Sequence, residues 1–137
     1  MPLGSFPVIN SINDRGAAAG TFSPFAPSVF LYSGGQYVTI APPAAISSEG
    51  GYVNNSGRVA GTYQDKQGAW HGFVYRAGKY ASFDMPGTVT SITVRAINNK
   101  GRVVGTFVGG KSGLQQIFLY NGSTVSVFGK YAAIKFR

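Results

Sequence analysis

The sequence contains no cysteine, one histidine, one tryptophan and four acidic residues in a chain of 137. Without cysteine there is no disulfide framework, no thiolate nucleophile and no zinc knuckle. The single histidine, His71, excludes a multi-histidine metal centre and leaves any Ser-His-Asp arrangement hanging on one residue. The acids are Asp14, Glu49, Asp65 and Asp84, and no two of them fall at matching strand positions, which speaks against a glycosidase carboxylate pair. Long hydrophobic runs are also missing. Nothing approaches the ~20 apolar residues of a membrane-spanning helix, and no window repeats apolar residues at helical spacing over several turns. The N-terminus lacks a basic segment followed by an apolar one, so no secretory signal is expected in this chain. Residues 2–5, "PLGS", resemble the remnant of a cleaved expression tag. No cofactor, metal or catalytic residue is expected.

What is present points to a folded β protein. Hydrophobic residues make up 44% of the chain, so a core can form, and 20 glycines with 7 prolines suit many tight turns. The net charge is +8 and unevenly spread. Residues 1–50 hold one basic residue, Arg15, against Asp14 and Glu49; residues 51–137 hold eleven against Asp65 and Asp84. A field of this kind attracts anions such as acidic polysaccharide or nucleic acid. The same residues also guard strand edges and keep a Gly-rich sheet protein soluble.

One phrase recurs three times: "INDRGAAAGTF" at 12–22, "VNNSGRVAGTY" at 53–63 and "INNKGRVVGTF" at 97–107. Asn13, Asn54 and Asn98 tolerate turn conformations and bond their own backbone, and Gly16, Gly57 and Gly101 supply positive φ, so each phrase predicts a β-hairpin turn. The following Gly20, Gly61 and Gly105 predict a close backbone approach. A loop leads to "SVFLY", "HGFVY" or "QIFLY"; a Gly turn then leads to "QYVTI", "KYASF" or "TVSVF". Each unit is therefore a four-stranded antiparallel meander. The boundaries fall near 6–45, 46–88 and 89–129, with a tail strand at 130–137. Repetition at this period implies that units stack to bury their faces.

The order "HGFVYRAGKYASFDMPG…VRAINNKGRVVGTF" resembles the HAF family of bacterial extracellular repeats. The second unit carries the pattern fully. In the other two, Pro27-Ser28 and Gln115-Gln116 stand near the place of the His. The resemblance implies β-propeller-like blades on a secreted or surface protein, with no established activity. A propeller needs 4–8 blades, so three blades predict closure by a second copy of the chain, a homodimer or higher ring. A single-chain β-trefoil is the alternative.

The expected function is a non-catalytic binding module, lectin-like, with a carbohydrate stacked on Trp70 and contacts from His71, Tyr63 and Tyr75. Trp70 also suits a partly buried blade-edge residue, and the repeated Tyr32, Tyr75 and Tyr120 suit packing between units. The alternatives are a self-assembly module and an anionic-polymer binder using Arg95, Arg102, Lys130, Lys135 and Arg137. No nucleic-acid motif accompanies these basic residues.

Overall fold

The structure is a computed structural model that describes residues 6–23, 29–109 and 113–128. These form strands and no helix. The first unit holds β1 (Phe6–Ile12), β2 (Ala18–Ser23), β3 (Val29–Ser33) and β4 (Gln36–Ile40). The second holds β5 (Ser47–Val53), β6 (Val59–Gln64), β7 (Trp70–Arg76) and β8 (Lys79–Phe83). The third holds β9 (Val89–Ile97), β10 (Val103–Gly109), β11 (Gln115–Tyr120) and β12 (Val125–Phe128). Each unit is a separate four-stranded sheet in simple sequential order, antiparallel throughout. No ladder joins one sheet to the next and no barrel closes among the described residues, so the single-chain trefoil is corrected to three stacked meanders. The tail strand expected at 130–137 lies outside the described residues.

Turn chemistry sets the register. In the first hairpin of each unit, the Gly amide bonds the Asn carbonyl, Gly16 to Asn13, Gly57 to Asn54 and Gly101 to Asn98, at 3.0–3.2 Å. Gly16, Gly57 and Gly101 have φ between 81° and 83°, the left-handed region that a side chain resists. The hairpins β3–β4 and β7–β8 use two-residue turns with both residues at positive φ, Gly34-Gly35 and Ala77-Gly78.

The second glycine of the phrase has a different cause. Gly20, Gly61 and Gly105 face Ile9, Gly50 and Val94, and each first strand bulges immediately afterwards. The bulge tips the carbonyl of Val8, Glu49 or Thr93 over the glycine. A Cβ there would lie 1.8, 2.4 or 2.0 Å from that oxygen, so only glycine fits.

Two cores lie between the sheets. Ala19, Val29 and Ile40 of the first sheet pack on Val59, Phe73 and Tyr75 of the second. Ala60 and Phe83 of the second pack on Val103, Phe107, Phe118 and Tyr120 of the third. Neighbouring residues Val59 and Ala60 thus point into different cores, which explains why Val59 through Tyr63 is buried without a break. The same alternation gives every sheet a front, turned to the next unit, and a back, turned to the preceding one. Phe83 on a front stacks on Tyr120 on a back, with ring centroids 4.1 Å apart.

Candidate functional site

His71 lies near the start of β7, where Gly72 pairs with Phe83. That register brings Asp84, the next residue after β8, opposite His71. On the other side, the β6–β7 hairpin turn begins at Asp65. Asp65 Oδ1 accepts the amides of Gln67 and Ala69 at 2.9 and 3.0 Å, which leaves Oδ2 for His71 Nε2 at 2.7 Å. His71 Nδ1 meets Asp84 Oδ1. Two carboxylates on two ring nitrogens call for two N–H donors, the imidazolium form. Partial burial pushes the His71 pKa down, but the hydrogen bonds and charges of Asp65 and Asp84 outweigh it and hold the imidazole above its ordinary value. The hydrogen bond from His71, with help from the Ala69 amide, holds the Asp65 carboxyl below its ordinary range. The unit thereby ties its β6–β7 turn to its exit strand through one charged ring.

In sequence, "FDMPG" puts Asp84 where Asp ordinarily serves backbone bonding. The structure gives its Oδ1 to His71 instead. Tyr63 packs behind the imidazole, ring centroids 4.9 Å apart, with its hydroxyl 2.9 Å from Ser82 Oγ. It braces His71 and is itself buried. Tyr75 lies in the core between the first and second sheets, so its ring is spent on packing and offers no face to a ligand. Trp70 is half-buried against the edge of the other core. It borders a cleft of about 550 Å³ together with His71, Asp84, Met85, Thr88 and Val89. The cleft runs between the β6–β7 turn and the segment joining the second sheet to the third. A shallower hollow of about 400 Å³ lies on the other side of that segment, against Tyr120 and Thr124.

Of the expected ligand group, the structure therefore brings Trp70 and His71 to one cleft, puts Tyr63 behind them and removes Tyr75 to the core. Arg95 and Arg102 are exposed on the third unit; Lys130, Lys135 and Arg137 lie outside the described residues. No group of His, Asp or Glu able to hold a metal ion occurs among the described residues. The two carboxylates around His71 are aimed at the ring itself and not at a shared vacancy.

The end faces form a second candidate surface. Among the described residues no sheet precedes the first unit and none follows the third. On the back of the first sheet, Ile12 is 70% and Tyr32 44% exposed, while their counterparts Val53 and Tyr75 are 6% and 9% exposed. On the front of the third sheet, Val104 and Phe128 are 36% and 51% exposed, while their counterparts Ala60 and Phe83 are 0% and 5%.

No family model matches the chain, and no curated protein or solved structure matches it either. No helix among the described residues is long and apolar enough to cross a membrane.

Proposed function

We propose that this chain is a non-catalytic β-repeat module of the HAF type, extracellular or surface-borne, whose three sheets are propeller blades completed by a second copy. One observation supports the reading: every junction between described sheets sets a front on a back, and among the described residues no further sheet covers the back of the first or the front of the third, although Phe22 and Phe30 on that back are 3% and 2% exposed. The exposed apolar residues Ile12, Tyr32, Val104 and Phe128 are the counterparts of core residues. The sheets also lie near one another along their first strands, β1 by β5 and β5 by β9, as blades do around an axis. Propellers close with about 4–8 blades, and the only multiple of three in that range is six, which means two chains about a two-fold axis. Leaving the end faces in water forgoes about 25 cal/mol per Å² of buriable apolar area. Sedimentation over a micromolar series tests this. Twice the mass of 14.4 kDa is expected; a monomer throughout overturns it.

A second reading, lectin-like binding of a carbohydrate, is favoured by the cleft beside Trp70. The indole would stack a sugar ring on its open face and the second oxygen of Asp84 would accept a hydroxyl. With both nitrogens of the sole histidine bonded, the site suits binding better than proton transfer. A glycan array with wild type and Trp70→Ala tests this: signal lost in the variant supports it, and silence from both removes it. Binding of an anionic polymer through Arg95 and Arg102 would instead give salt-sensitive heparin retention.

A further inference from the structure

The three Asn turns are linked to each other as well as to themselves. Asn13 Oδ1 accepts the amides of Arg15 and Ala17; Asn54 and Asn98 do the same two and four residues ahead, all at 2.8–3.1 Å. This leaves each carboxamide NH₂ free to donate outward. Asn13 Nδ2 donates to the Asn54 carbonyl at 2.9 Å, and Asn54 Nδ2 to the Asn98 carbonyl at 2.9 Å. A second rail runs beside the first. The Asp14 amide donates to Asn55 Oδ1 at 2.7 Å, and the Asn55 amide to Asn99 Oδ1 at 3.0 Å. The same two bonds thus cross both junctions, with the same polarity.

Among the described residues both rails stop at the third turn. Asn54 is 2% exposed, whereas Asn98 and Asn99 are exposed. Asn98 Nδ2 and the Asn99 amide have no partner among the described residues. At the other end, among the described residues, the Asn13 carbonyl accepts only the Gly16 amide, at 3.2 Å. Asp14, the one carboxylate in the three turns, gives Oδ2 to Asn55 Nδ2 at 2.7 Å and leaves Oδ1 over. The loose donors and the loose acceptors therefore match in kind, number and order. The third turn carries Lys100 and Arg102, and the first carries Asp14 beside Arg15.

We propose that the third turn of one chain docks on the first turn of a second copy. Asn98 Nδ2 donates to the Asn13 carbonyl of that copy, and the Asn99 amide donates to its Asp14 carboxylate. This rests on the reading that two copies close a ring, and it fixes the register of the closure. The apolar faces alone allow sliding; two directional bonds at a defined spacing do not. A two-fold axis forms the junction twice, so each bond counts twice in the dimer.

The test is Asn98→Asp. Aspartate keeps the oxygen that the local turn needs, as Asp65 does with Gln67 and Ala69 in this chain. It removes the NH₂ donor and puts an acceptor against an acceptor. Monomer unfolding should match wild type, and the dimer dissociation constant should rise roughly 10–100-fold, two lost bonds of ordinary strength. Asn54→Asp, which breaks an internal rung, should lower monomer stability instead. A dimer indifferent to Asn98→Asp overturns the register while ring closure stands. Equal monomer destabilisation by the two variants also overturns it. A wild-type chain that never dimerises removes the closure reading and this inference together.

Discussion

Replacing Gly105 by alanine adds one methyl group at a place where the fold has no room for it. Its Cβ would stand 2.0 Å from the Thr93 carbonyl oxygen and 2.8 Å from Cε1 of Phe118. A carbon and a carbonyl oxygen rest at about 3.3 Å or more, so β9 and β10 must part by roughly 1 Å or the Phe118 ring must leave its seat. Parting the strands stretches ladder bonds from about 2.9 Å to beyond useful range, and two such bonds are worth about 1 kcal/mol each. Displacing a fully buried ring adds about 1–3 kcal/mol of overpacking. The expected loss is about 3–5 kcal/mol, a large share of the 5–15 kcal/mol typical of a whole domain. Gly122→Ala is the comparison. Gly122 has φ 97° with no atom within 4 Å of its would-be Cβ, so backbone strain alone costs about 1–2 kcal/mol. Urea unfolding followed by circular dichroism reads both, with an unchanged slope confirming a stability effect. A Gly105→Ala midpoint equal to or above that of Gly122→Ala would refute the argument that the bulge carbonyl dictates glycine.

The His71 bridge predicts a pH signature. A raised histidine pKa contributes stability below the ordinary 6.5 that fades as pH rises through the folded value. A lowered Asp65 pKa contributes stability above the ordinary 3.8 that fades as pH falls through the folded value. The stability gap between wild type and His71→Gln should therefore be widest between those two values and shrink toward alkaline pH; a flat gap across thermal melts from pH 4 to 9 would count against the bridge. Phe83→Ala should cost about 3–5 kcal/mol, because the ring fills the second core. Phe128→Ala, at the equivalent position on the open front, should cost the monomer under about 1 kcal/mol yet weaken self-association. Similar losses in dilute-protein unfolding would contradict the front-and-back assignment.

The strands and turns were legible because the phrase repeats. Asn-x-x-Gly fixes a hairpin wherever it stands, and Gly20, Gly61 and Gly105 announced a crowded approach that the bulges then explained. The His71 bridge was legible only in principle. Once the Ala77-Gly78 turn pairs Gly72 with Phe83, Asp84 must fall opposite His71, but each acid taken alone looks like a turn residue that bonds its own backbone. Tyr63 and Tyr75 resemble an aromatic platform in sequence. Their burial depends on which face of a sheet meets its neighbour, and composition does not say that. The outward bonds of Asn13 and Asn54 were hidden for a related reason: the local turn already accounts for asparagine, and only the stacking of units reveals the second use of the same side chain.

Antiparallel parity also divides the molecule lengthwise. The Asn turns and the turns between third and fourth strands lie at one end of every sheet. The connections between second and third strands, and the exits into the next unit, lie at the other. At the Asn end the three units spell nearly the same words. At the opposite end the β6–β7 turn, residues 65–69, reads "DKQGA"; the corresponding stretches of sequence, 24–28 and 110–114, read "PFAPS" and "GKSGL" and share almost nothing with it. The cleft beside Trp70 opens at that diverse end. Substitutions there leave the rails between units untouched, so the chain can change what it presents to its surroundings without renegotiating how its units hold together. For an engineer, the end around the β6–β7 turn is the place to graft a new recognition loop. Segment 65–69 would accept one only if Asp65 stays to hold His71.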